Sequence, residues 1–233
     1  MAAATEPTLL EQCTEFVELY RDEIVKLTLD HILIVGVSLG IALLIGVPIG
    51  ILITRHENLA KRVMNTANIL MTTPSIALFG LMMPVLSVID QGMGKVPAVV
   101  ALVLYSQLPI IRNTYVAIKN VPPELIDAGR GMGMSQWRLL KEVEIPLATP
   151  VILAGLRTAA VMCIGIAAIA AYIGAGGLGV FIKDGISQTQ DAQVVAGAVL
   201  VSLLAIVVDG TTAGFEWLTT PKGIRVQRKV SKQ

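Results

Sequence analysis

The chain has 233 residues, of which 54% are hydrophobic and 15% charged, with a mean hydropathy of +0.73. Those values exclude an ordinary soluble domain and place most of the chain in lipid. A formal net charge of +1 excludes the basic stripe that nucleic acid requires, so the position of the charges tells more than their sum.

The opening residues MAAATEPTLLEQ lack the basic flank and short apolar core of a cleavable signal peptide, so targeting is expected to rest with the first membrane helix. From Thr8 to Thr28 the apolar residues Leu9, Leu10, Cys13, Phe16, Val17, Tyr20, Ile24 and Leu27 recur at helical spacing, with acids on the other side. Thr8 and Glu11 stand as a capping box. The segment 1–30 therefore predicts an amphipathic helix that either lies on the membrane surface or packs against the first span.

Five charge-poor runs follow. Ile32 to Thr54 is long enough to cross a hydrocarbon core at about 1.5 Å per residue. Val63 to Ile89 contains Pro74 and Pro84, which should kink or break it inside a bundle. Val96 to Ile118 carries Pro109 and Arg112; Ile145 to Ile173 carries Arg157; Val194 to Leu218 carries Asp209 and Glu216. Gly36, Gly40, Gly46 and Gly50 form two GxxxG pairs in the first run, which close helix packing explains. Cys13 and Cys163 have no zinc or redox spacing and read as packing residues, while His31 and His56 are expected at span ends near the interface.

Basic residues set the orientation. Arg55, Lys61 and Arg62 follow the first run; Lys119, Arg130, Arg138 and Lys141 follow the third; Lys222, Arg225, Arg228, Lys229 and Lys232 follow the fifth. Five spans with the N-terminus outside and the C-terminus inside put all three groups in the cytoplasm. The expected domains are thus a periplasmic N-terminal helix over 1–30, a transmembrane unit over 31–219 with a cytoplasmic loop at 119–146, and a basic cytoplasmic tail over 220–233.

That loop reads as two short helices. Pro122 and Pro123 suit a helix start, Gly131 and Gly133 a tight turn, and Ser135 the cap of a second helix bearing Trp137, Leu139 and Leu140. An apolar knob on the cytoplasmic side needs a groove on a partner. The pattern resembles the EAA loop of ABC importer permeases: an acidic-small-small triplet at Asp127, Ala128 and Gly129, then Gly133, then Val143, Ile145 and Pro146. Thr73-Pro74-Ser75, Leu108 to Tyr115, Gly131 to Met134 and Gly155 to Ala159 resemble the branch that takes up glycine betaine, choline and carnitine.

The resemblance implies an all-α integral membrane fold of five spans, like the permeases of type I and methionine importers, in the bacterial inner membrane. It implies a transporter subunit with no cofactor of its own, ATP and magnesium being held by a separate ABC ATPase that docks on Asp127, Ala128, Gly129, Gly133, Trp137, Ile145 and Pro146. It also implies a periplasmic substrate-binding protein and a second permease subunit, identical or related. A methionine-type importer is the alternative substrate class; a scaffold that recruits a partner without transport is a third reading, disfavoured by the proline-broken, glycine-rich spans.

Gly174-Ala-Gly-Gly-Leu-Gly179 has the spacing of a dinucleotide fingerprint but ends a membrane run instead of linking strand to helix, so a nucleotide site is excluded. It is expected to be the extracytoplasmic turn between spans four and five. Arg157 lies about 10 residues into span four and Asp209 about 9 from the end of span five, so helical rise puts them at similar depth. They are expected to pair, with Arg112 the competing partner for Asp209 and snorkelling of both arginines the alternative. Aromatics make up 4% of the chain, too few for a tight cage around a quaternary ammonium group, and Tyr105, Tyr115 and Tyr172 are the candidate pathway residues.

Overall fold

The structure, a computed structural model, describes residues 8–219, so the tail over 220–233 lies outside the described residues. Every element in it is helical: α1 (Leu9–Leu19), α2 (Arg21–Ile53), α3 (Glu57–Thr72), α4 (Ser75–Ser87), α5 (Lys95–Lys119), α6 (Pro123–Gly131), α7 (Gln136–Leu139), α8 (Ile145–Ile169), α9 (Gly179–Gln188) and α10 (Asp191–Thr219). A π-turn over Leu140–Glu144 joins α7 to α8, and a 3₁₀ turn over Ala170–Ile173 extends α8.

Four helical runs are long and apolar enough to cross a membrane: Arg21–Ile53, Lys95–Lys119, Gln136–Ile173 and Asp191–Thr219. The fifth crossing is the pair α3 and α4, bent by 102° at Thr73 and Pro74. Pro74 cannot donate to the helical ladder. The Thr73 carbonyl released at the bend accepts the Tyr105 hydroxyl, so the break is held from within the bundle. Pro84, by contrast, sits inside α4 without ending it.

The expected single helix over 8–28 is two. The Thr8–Glu11 capping box starts α1, but the helix stops at Leu19 and α2 already begins at Arg21, so the second half of the amphipathic stretch belongs to the first spanning helix. Nor does α1 run along α2. Phe16 stacks on Tyr20 (ring centroids 4.6 Å apart) and meets the edge of Phe181 at 5.2 Å, while Cys13 Sγ lies 3.6 Å from the Ala192 carbonyl oxygen, which fastens α1 to α9 and the start of α10.

α5 is the axis of the bundle, packed between α2, α3 and α4 on one side and α8 on the other. Small residues permit the approach. A Cβ on Gly46 would lie 2.8 Å from Ile110 Cγ2, one on Gly50 2.6 Å from Thr114 Cβ, and one on Gly155 2.6 Å from Asn113 Cβ. Gly36 and Gly40 have no such neighbour among the described residues, so of the two expected GxxxG pairs only the second is a packing seam among them.

The segment after α8 holds a further helix, α9, that its sequence did not announce. Gly174, Gly176 and Gly177 all adopt positive φ (+79°, +85° and +76°), and a Cβ on Gly179 would fall 1.9 Å from the Ala168 carbonyl oxygen. The glycine run is thus a backbone turn. His31 explains its seat: the ring is buried, Nδ1 accepts the Leu178 N–H at 3.2 Å and Nε2 faces the Ile164 carbonyl oxygen at 3.1 Å. This corrects the interfacial expectation for His31. With Nδ1 accepting, Nε2 must carry the proton and donate to Ile164. His56 does stand exposed, at the start of α3.

Candidate functional site

The loop between α5 and α8 folds as its residues dictate. Pro123 occupies the first turn of α6. At the other end Gly133, with φ +77°, closes a Schellman turn in which Gly133 N–H donates to Arg130 O (2.9 Å) and Met134 N–H to Gly129 O (3.0 Å). Ser135 Oγ then accepts the Arg138 N–H at 3.3 Å and starts α7. Gly129 serves contact: a Cβ there would meet Leu139 Cδ1 at 2.5 Å, so α6 and α7 are locked together through the buried Leu139.

The pair also exposes apolar side chains, but not the three expected: of Trp137, Leu139 and Leu140 only Trp137 is exposed, Leu139 being buried against Gly129 and Leu140 half-buried. Trp137 on α7 is 73% exposed, Met132 at the end of α6 71%, and Leu125 on α6 44%. Single exposed apolar residues are ordinary; three within one short loop are a candidate contact surface. Asp127 is exposed and within 3.6 Å of Arg130, a surface pair of little energetic weight, and Ala128 sits between Asp127 and Gly129 on the same helix.

Two features tie the loop to the bundle. Pro146 removes an N–H from the first turn of α8, and the ladder responds with the π-turn, in which Ile145 N–H reaches back to Leu140 O. The run from Gln136 to Ile173 is nevertheless one continuous helical rod of 38 residues. Within the π-turn Glu144 is buried and takes both carboxylate oxygens to Arg55 Nη2, each at 3.0 Å. Arg55 follows α2, so one ion pair joins the loop to the first span. Sequence reading missed it, since an acid two residues before a proline gives no sign of its distant partner.

Arg157 and Asp209 meet as the depth argument requires: Nε to Oδ1 at 2.5 Å and Nη2 to Oδ2 at 2.6 Å, a bidentate fork between α8 and α10. Arg112 is exposed and makes no ion pair among the described residues, so it does not compete. Of the tyrosines expected along a pathway, Tyr105 is buried and spent on Thr73, Tyr115 packs beside Ile53, Val63 and Ile111, and Tyr172 is half exposed at the far end of the bundle from α6 and α7. Cys163 is buried with Sγ 3.0 Å from Ser106 Oγ, as a packing residue should be. No cluster of metal-ligating side chains occurs among the described residues.

Residues 46–216 match the family described as binding-protein-dependent transport system inner membrane component. The chain is 52% identical over 202 residues to the osmoprotectant import permease protein OsmW of Salmonella typhimurium, covering 87% of this chain and 94% of that protein. It is 40% identical over 222 residues to the glycine betaine/carnitine/choline transport system permease protein OpuCB of Bacillus subtilis, covering 95% of this chain and 100% of that one. A solved structure of the MetNI methionine ABC transporter in an inward-facing conformation superposes on 88% of this chain and 99% of its own with a TM-score of 0.77, at 22% identity, a likeness of fold. The all-helical bundle with its bent fifth crossing is therefore a type I ABC importer permease fold, and the chain belongs to the binding-protein-dependent transport system inner membrane component family.

Proposed function

We propose that this chain is the permease subunit of an ATP-driven importer of quaternary-ammonium osmoprotectants, glycine betaine, choline and carnitine among them. The match over almost its whole length to permeases named for those solutes carries the reading. The methionine alternative has only a likeness of fold behind it. Such a subunit forms and breaks no covalent bond. A separate ABC ATPase binds ATP and magnesium, a periplasmic binding protein supplies the solute, and a second permease completes the pathway in the inner membrane, with N-termini outside and C-termini inside.

The geometry supports this division of labour. Trp137, Met132 and Leu125 enter a groove on the ATPase, with Asp127, Ala128 and Gly129 forming the helix behind them. A push there is carried by the unbroken rod from Gln136 to Ile173, and Arg55–Glu144 shares it with α2. Ile145 and Pro146 set the joint at which loop meets rod. Affinity purification of the tagged chain from its native membrane should retain an ABC ATPase, and Trp137→Ala should lose at least about tenfold of it, the scale of a well-packed aromatic anchor. Equal retention by Trp137→Ala would contradict the assigned contact; no ATPase with either chain would contradict the importer.

A further inference from the structure

We infer that one face of α3, carrying Asn65, Asn68 and Thr72, lines the water-filled route of the solute, an inference that rests on the importer reading above. Its three residues recur at positions i, i+3 and i+7, one stripe of a helix, and all are exposed, with the exposed Ile69 along one edge. They lie opposite the face formed by Val63, Thr66, Ala67 and Leu70, which lines a groove against Ile45 and Ile49 of α2 and Leu104 and Gln107 of α5.

The depth of the stripe follows from what α3 touches. Near its start, Ala60 and Val63 pack with Ile111 and Tyr115; just past its end, the Thr73 carbonyl holds the Tyr105 hydroxyl. Tyr105 and Ile111 flank the middle of α5, a helix of 25 residues and about 37 Å. α3 therefore climbs along α5 into the membrane, and Asn65 and Asn68 stand at the level of the hydrocarbon.

At that level the two carboxamides make no hydrogen bond among the described residues. An unpaired amide facing lipid is costly, so polar side chains at such depth face water or other protein. The contrast with α10 is direct: its outward residues include Val199, Leu203, Ile206 and Val207, and the one hydroxyl between Val199 and Val207, on Ser202, donates to the Ala198 carbonyl at 2.8 Å. A route for a small cationic or zwitterionic quaternary amine needs walls of this neutral polar kind. Amide and hydroxyl groups exchange with its hydration water without holding it, and with no aromatic cage the contact stays brief.

The test uses the assembled complex of permease, ATPase and binding protein in proteoliposomes, with Asn65→Cys or Asn68→Cys placed in a chain carrying Cys13→Ser and Cys163→Ala. Only the hydrated thiolate reacts with a charged, water-soluble methanethiosulfonate, so these positions should label at least about tenfold faster than Ile206→Cys on the lipid face. The rate should differ between nucleotide-free complex and complex locked with a non-hydrolysable ATP analogue. Labelling as slow as Ile206→Cys overturns the inference, and slow labelling with disulfide cross-linking between two permeases makes the face a subunit contact instead. A rate indifferent to nucleotide overturns it too. Should either asparagine variant fail to assemble, Thr72→Cys carries the same test. Failure of the wild-type complex to import any quaternary amine, with fast nucleotide-dependent labelling intact, would defeat the proposed substrate and leave the route in place.

Discussion

Arg157 and Asp209 show how much a single depth argument can yield. Two ionisable residues in separate apolar runs have few ways to be satisfied, and equal distance from one membrane face leaves each as the other's nearest solution. Asp209→Asn should lower the melting temperature of the detergent-purified chain by removing the guanidinium's bidentate partner and leaving only the weaker attraction of Glu216, whereas the exchange Arg157→Asp with Asp209→Arg should restore most of it. Two variants that melt alike would show that the fork contributes nothing. The glycines make a second residue-scale contrast. Gly50→Leu forces a side chain into Thr114 and should cost about 1–3 kcal/mol by overpacking. Gly36→Ala meets nothing within 4 Å among the described residues and should leave stability equal or higher by up to about 1 kcal/mol, since alanine is the better helix former. Chemical denaturation of the two variants side by side reads the difference.

Among the elements, those governed by local rules were legible in advance and those governed by distant contacts were not. Apolar length gave the spans, Pro74 the broken crossing, and Pro123, Gly133 and Ser135 the two loop helices, because each signal acts within a few residues. The end of α1 at Leu19 depends on Phe16 and Tyr20 reaching Phe181, which no spacing in the N-terminal segment records. His31 reads as an interfacial histidine until the turn at Gly177 folds over it. Of the loop, the exposed Trp137 was legible, while the inward turn of Leu139 onto Gly129 and the anchoring ion pair were not, since Arg55 and Glu144 lie 89 positions apart in the chain. That anchor makes a prediction at its own scale. Glu144→Gln keeps the size and removes the charge, so the loop should lose about 1–3 kcal/mol of attachment to α2. The complex should still assemble with its ATPase, hydrolyse ATP, and import less solute per ATP consumed. Unchanged stoichiometry would assign Arg55–Glu144 to folding alone.

At the scale of the whole molecule, the described residues form a bundle around α5 with an exposed loop, a broken crossing and an outward polar stripe. The far end is stitched shut in this structure: Lys95 Nζ meets Asp30 at 2.6 Å, Gly94 N–H donates to the Ile173 carbonyl at 2.9 Å, and His31 pins the glycine turn. Those ties join α2, α5 and the turn after α8 at the end away from the loop. The central claim joins this architecture to a solute class. Its most direct test is uptake by proteoliposomes holding the permease, its ATPase and its binding protein, offered labelled glycine betaine, choline, carnitine or methionine with and without ATP inside. We predict ATP-dependent accumulation of at least one quaternary amine and none of methionine; methionine accumulating while every quaternary amine stays outside would contradict it.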